Sequence, residues 1–241
     1  GPPESLDGLK FYDTGGIGVA VSNVNNVVDA AFGGTVASVQ YGNTNGNHTT
    51  LINAGETLTV SGTGGLFVGT GQENGAGQLV NATITGVGGA LVLNNTSANL
   101  NVRQGSTNAG SHRATLDLSG LDSLSATVAR LLVAGDGSST PANNRPGGTL
   151  LLARTNVIVA SGASPAINLA DGPSNGGNGV LSLGRTNAIF ADTITVGRQK
   201  SSATMNFNPA FTNQGPSLYL RGSSAERVAS FIIGDNSPQS S

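Results

Sequence analysis

The stretch Arg154-Thr155-Asn156 returns one block later as Arg185-Thr186-Asn187, and the residues around it return as well. Four blocks of the second half follow one order: a Leu-x-Leu strand, a corner, an Asn-x-Ile-x-Ala strand, a second corner, an x-Ile-x-Val-Gly strand and a polar loop. They begin at Thr115, Thr149, Val180 and Ser217 and end near Ser138, Gly172, Arg198 and Ser237. Repetition on this scale marks a chain whose units cannot bury their apolar faces alone and must stack on one another. Three short strands in roughly 30 residues are what one coil of a parallel β-helix requires. Equivalent corners at Asp136, Asp171, Arg198 and Asp235 are unevenly spaced, a variation that loops leaving one corner absorb.

Helical periodicity is nearly absent. Leu121, Leu124, Val128, Leu131 and Leu132 would line one side of a helix. They sit, however, where other blocks read as strands, so Leu121–Val133 is predicted to be strand. Elsewhere short runs alternate apolar residues with Ser, Thr or Asn and stop at Gly or Asn, from Ile17–Val21 and Thr35–Tyr41 through to Val228–Ile233. The first half follows the same grammar with shorter spacing, as in Thr57–Val60, Ala82–Thr85 and Ala90–Leu93. The expected fold is all-β: a right-handed parallel β-helix with about three short strands per coil, one solenoid domain over residues 1–241, clearest in 115–236. At about 4.8 Å per coil, about eight coils would give a rod roughly 40 Å long. The polar stretches Gly135–Gly148, Asp171–Gly179 and Arg198–Gly215 are expected to be surface loops.

Composition agrees. The 241 residues include 37 Gly, no Cys and no Trp; 10% are charged and 4% aromatic. A layered globular domain carries about 25% charged residues, so a narrow core of Val, Leu, Ile and Ala is expected here. Without Cys there is neither a disulfide scaffold nor thiol chemistry, which suits the cytosol or a bacterial exterior. The net charge is −2, and the longest basic patch is Arg198-Gln199-Lys200. Phosphate neutralisation, and with it nucleic-acid binding, finds little support. No run of about 18 apolar residues suggests membrane insertion, and the N-terminus shows no signal-peptide pattern. Gly1-Pro2 has the form of a protease-tag scar, and residues 1–12 read as a tag remnant or a cap, with Leu6–Tyr12 placed to close that end. No amphipathic cap follows Ile232-Ile233-Gly234-Asp235-Asn236-Ser237. The chain therefore reads as a piece of a larger protein, with neighbouring solenoid segments as partners.

The pattern Leu-x-Leu-Gly-x-Thr-Asn-x-Ile-x-Ala-x-x-Ile-x-Val-Gly over Leu181–Gly197 resembles the repeats of large bacterial autotransporter-type β-helix proteins. The resemblance covers about half the chain well and the rest loosely. It implies an exported passenger or stalk at the bacterial surface or outside the cell, often adhesive, and it carries no active-site motif.

Candidate residues divide as follows. His48, in an Asn/Gly/Thr stretch, and His112, beside Arg113, are expected to be surface histidines; without Cys they make no zinc site. Asp136, Asp171 and Asp235 share a corner where aligned carboxylates would bind calcium weakly, but Asp-Gly and Asp-Asn also form good turns and Arg198 interrupts the row. Asn156 and Asn187 are expected to stack as a hydrogen-bonded ladder. Gly15-Gly16-Ile17-Gly18 and Gly69-Thr70-Gly71 precede no helix, so neither offers a phosphate-binding N-terminus. Thr57-Leu58-Thr59, Thr83-Ile84-Thr85 and Thr193-Ile194-Thr195 suggest an ice-binding array but are unevenly spaced, and Thr is a favoured strand residue in any case.

No catalytic, cofactor-binding or metal-ligating residue is assigned. The function expected is that of a non-catalytic structural or adhesive rod segment of a large exported bacterial surface protein, with cell-surface or matrix polysaccharide as a partner. The alternative is a polysaccharide-active β-helix, a lyase or hydrolase. Such an enzyme needs clustered carboxylates, Arg or Lys, and aromatic sugar platforms in one groove. Here the acids are scattered, Trp is absent and the three Tyr are far apart in sequence. Three or more charged side chains converging on one concave strip would revive that alternative.

Overall fold

The computed structural model describes residues 3–12, 25–32, 34–44, 46–70, 78–105, 112–135, 145–172 and 176–235. The strand expected at Ile17–Val21, the Gly15–Gly18 stretch and Asp136 lie outside these residues.

Strands stack on three faces. On the first lie β2 (Asn26–Val28), β4 (Asn47–Ile52), the start of β6 (Leu79–Val102), β7 (Arg113–Asp117), β9 (Gly147–Leu151), β12 (Asn178–Leu183) and β15 (Ser202–Phe207). The second takes the starts of β3 (Thr35–Tyr41) and β5 (Thr57–Val68), the middle of β6 and the start of β8 (Leu121–Val133). It continues with β10 (Thr155–Ala160), β13 (Thr186–Ala191) and β16 (Ser217–Arg221). The third begins at β1 (Gly8–Phe11), takes the ends of β3, β5, β6 and β8, and continues through β11 (Ile167–Gly172), β14 (Thr193–Gln199) and β17 (Ser230–Asp235). Every one of these ladders is parallel, and the result is a β-solenoid.

Alternation decides which side chains enter the core. On the third face Phe11, Tyr41, Val68, Val102, Val133, Leu169 and Val196 stack in register, one from each successive turn. On the second, Val36, Val60, Leu93, Ala126, Ile158 and Ile189 do the same. Full burial of each such Leu, Ile or Val contributes about 1.5–3 kcal/mol. Leu121–Val133 is strand, as its place in the repeat predicts.

β5, β6 and β8 each run through corners, so strand signals that look separate belong to one coil. Two expectations change. The first half is not built on shorter spacing throughout. Thr57 pairs with Ala90 and Leu66 with Leu100, steps as long as those between blocks of the second half, whereas Thr83 lies on another face beside Thr49 and Asp117. The fourth block is also displaced by one face. Ser217–Leu220 lies on Thr186–Ile189, and the successor to Val180–Leu183 is Thr204–Phe207. The stretch expected to be a polar loop at Arg198–Gly215 thus contains β15 and a 3-10 helix at Pro209–Gln214. Met205 and Phe207 alternate inward with polar neighbours there, which is what makes the segment a strand.

At the N-terminal end, Leu6–Tyr12 contributes β1, whose Gly8–Phe11 pairs with Ser38–Tyr41 and so adds a further strand to the stack. No helix among the described residues is long and apolar enough to cross a membrane.

Candidate binding surfaces

Both histidines are buried, contrary to expectation. His48 lies on β4, a strand missed because its inward positions are polar: His48 and Thr50 occupy registers that Ala82 and Ile84 fill one turn later. Burial of these groups is offset by mutual hydrogen bonds. The Tyr41 hydroxyl donates to Thr50 Oγ1 (2.7 Å), and Thr50 Oγ1 and His48 Nε2 both donate to Asn26 Oδ1 (2.8 Å each). The rings of Phe11 and Tyr41 enclose the imidazole, with centroids 4.1 and 5.2 Å away. Desolvation holds the His48 imidazole below its ordinary range and pushes the Tyr41 phenol up. The cluster is a hydrogen-bonded plug in the core, and two of its members, Phe11 and Asn26, also line a cavity of about 370 Å³.

The recurrent corners are sorted by register. Asn156 and Asn187 are adjacent, buried and joined as a ladder: Asn156 Nδ2 donates to Asn187 Oδ1 (2.9 Å) and Asn187 Nδ2 to Ser217 O (2.9 Å). Asn187 also closes its own corner, accepting from Gly184 N and donating to Gly184 O, each at 2.9 Å. A side chain at Gly184 would collide with Ala153 O, so glycine is what lets successive corners approach. Leu124 and Leu218 flank the pair, which confines the ladder to two rungs. Asp171, Arg198 and Asp235 do occupy equivalent positions, with the arginine between the two acids. Among the described residues no group of three or more His, Asp or Glu is placed to hold a metal. The Thr-x-Thr pairs fall on three different faces, so they form no array.

His112 belongs to a different setting. It lines a concavity of about 400 Å³ together with Leu79, Arg113, Arg145, Pro146, Gly147, Gly176 and Asn178. Its Nε2 donates to Arg145 O, and its Nδ1 is enclosed without a hydrogen-bond partner. Two guanidinium groups and one imidazole meet here, so among the described residues the ionisable groups that line this strip are all basic.

A second lateral feature is a groove of about 310 Å³ on the outside of the third face. Lys10, Gln40, Phe67 and Asn101 stack in register along it, with Ser38 and Asn99 beside them. Asn99 Oδ1 and Asn101 Oδ1 are enclosed and without hydrogen-bond partners. Half-buried Phe67 supplies an apolar ring among carboxamides, an ammonium and a hydroxyl. That mixture suits an uncharged ligand with a flat face and many hydroxyls.

No family model, curated protein or solved structure matches this chain.

The two surfaces are hidden in the sequence for different reasons. The ring in the groove is Phe67, neither a Trp nor a Tyr. Of the tyrosines, Tyr12 and Tyr41 lie close together, Tyr12 packing over Gly42, while Tyr219 stacks with Arg221 at the other end. His112 and Arg113 were adjacent in sequence, but Arg145 joins them only because β7 and β9 are neighbouring coils. The signal available was the coil offset itself: the step from Thr115 to Thr149, carried back along both strands, places Arg145–Gly147 beside His112–Arg113.

Proposed function

We propose that this chain is a non-catalytic structural and adhesive rod segment of a large exported bacterial surface protein, which stacks end to end with neighbouring solenoid segments and offers its sides to polysaccharide. One observation carries the reading. Phe231 and Ile233 occupy the core registers of Ile194 and Val196, which are 1% and 7% exposed, yet they are themselves 46% and 69% exposed. A further coil laid on β15–β17 would bury both side chains and pair a row of open strand-edge groups. The autotransporter-like pattern at Leu181–Gly197 supports an exported passenger, and the groove around Phe67 supports adhesion.

The hydrolase form of the catalytic alternative draws less support. Glycoside hydrolysis by the common route needs two carboxyl groups about 5–9.5 Å apart, and the described lining of the basic cavity holds no Asp or Glu.

Sedimentation of the purified chain at rising concentration, beside the double variant Phe231→Asp/Ile233→Asp, tests the stacking. The wild type is expected to self-associate and the variant to remain monomeric with an unchanged circular dichroism spectrum. Equal behaviour of the two would overturn it. Glycan-array binding without turnover is the expected companion result, and turnover of any bound polysaccharide would sink the non-catalytic reading.

A further inference from the structure

Leu79, Arg113, Gly147 and Asn178 stand at the starts of four successive first-face strands, so register alone brings them around the basic cavity. Its floor is glycine. A side chain on Gly147 would crowd His112 O and Arg113 Cα, and one on Gly176 would collide with Lys200 O. Glycine at these two places lets the neighbouring backbones approach closely beside the hollow.

Its electrostatics are one-sided. Arg113 and Arg145 are exposed at its rim, and neither guanidinium has a hydrogen-bond or ion-pair partner among the described residues. Two neighbouring cations without a counter-ion repel each other and attract an external anion, the more so as salt is lowered. His112 adds a third polar group. A carbonyl has no proton to give, so the imidazole proton sits on Nε2, toward Arg145 O, and the enclosed Nδ1 is left without a partner. The bond also ties the Arg145 backbone to β7.

The size suits an occupant larger than a bare ion. Cavities of about 300–1,000 Å³ hold small organic molecules, and this one is about 400 Å³. Leu79 and Pro146 add apolar surface and Asn178 a carboxamide, contacts a sugar ring and its hydroxyls use. We infer that this cavity binds an acidic saccharide, whose carboxylate or sulfate group is held between Arg113 and Arg145. The site is separate from the groove at Phe67 and does not depend on end-to-end stacking.

Isothermal titration of the whole chain tests this with four probes: a uronic-acid oligosaccharide, a sulfated oligosaccharide of equal length, a neutral one and inorganic sulfate. At least one acidic saccharide is expected to bind at one site per chain, with affinity that falls as salt rises. Whichever acid binds more tightly identifies the group recognised. Arg113→Gln and Arg145→Gln, both rim positions with little to lose in folding, are each expected to weaken that binding about tenfold. Lys10→Gln, in the other groove, is expected to leave it unchanged. Binding that survives both arginine variants, or that the neutral oligosaccharide matches, overturns the assignment. Inorganic sulfate binding as tightly as the saccharides would reduce the site to an adventitious ion only. Release of new chain ends from the bound saccharide would count for the site and against the non-catalytic reading, so the two fail separately.

Discussion

Val133 and Ile233 hold the same place in the solenoid, three turns apart on one column, yet Val133 is wholly buried and Ile233 is 69% exposed. Face, register and kind of side chain are alike. The difference is a coil: Val133 lies between Val102 and Leu169, whereas Ile233 has Val196 on one side. In a solenoid each turn touches only the turns next to it, so a residue's contribution depends on whether both neighbours are present. The middle of the rod is stabilised by its own coils, and among the described residues the last turn has a neighbour on one side alone.

Leu100→Ala should break the middle most severely. Leu100 is packed between Leu66 and Leu131 in adjacent turns, and its truncation is expected to cost about 2–5 kcal/mol in urea unfolding. Asn187→Ala comes next, at about 1–3 kcal/mol, because it strips the side-chain acceptor from buried Gly184 N and one acceptor from Asn156 Nδ2, which keeps Ala153 O.

The opening turns differ from the middle in having a polar interior, and pH probes that difference. Burial lowers the His48 pKa, so the unfolded chain binds the proton first. Stability is then full above about pH 6.5 and falls as the pH drops below it, and NMR titration of the ring beside thermal melts at pH 7.5 and 5.5 checks this.

At the far end, in chain dilute enough to remain monomeric, Ile233→Ala is expected to cost no more than about 0.5 kcal/mol, the range of exposed sites. A loss as large as that of Leu100→Ala in that monomer would show that the last turn is covered without a stacked neighbour, and the comparison between middle and end would fail. The smallest effect belongs to Asp192, an exposed carboxylate that accepts from Ser223 Oγ (2.7 Å) and Ser223 N (2.9 Å) and so links the last two turns. Those hydrogen bonds hold its carboxyl below the ordinary value of 3.8, so its contribution is present above that pH and is lost as pH falls through the lowered value. Asp192→Asn should flatten the acid limb of the stability profile, measured as unfolding midpoints between pH 6 and about 3.

How much of this was legible varies along the chain. Leu181–Gly197 stated its own structure, since apolar residues at every second place and Asn or Gly at the corners are what a stacked coil imposes on its sequence. The opening turns did not. His48 and Thr50 face the core but are polar, so β4 read as a loop, and Asn26, which satisfies both, lies a full coil earlier in the chain. The misplaced fourth block shows a related limit: Ser217-Leu218-Tyr219-Leu220 matches the Leu-x-Leu motif, but the chain had already spent Thr204–Phe207 on that face.

The sequence by itself determined the solenoid, its three short strands per turn, the shared corners and the aliphatic core, because each is written in local alternation repeated coil after coil. The tertiary structure decided which face each strand joined and where two histidines were hidden. Those depend on the lengths of the loops between corners, which set the offset between turns, and local pattern does not encode an offset. The rod was written into the repeats, and its surfaces came from how the coils were laid on one another.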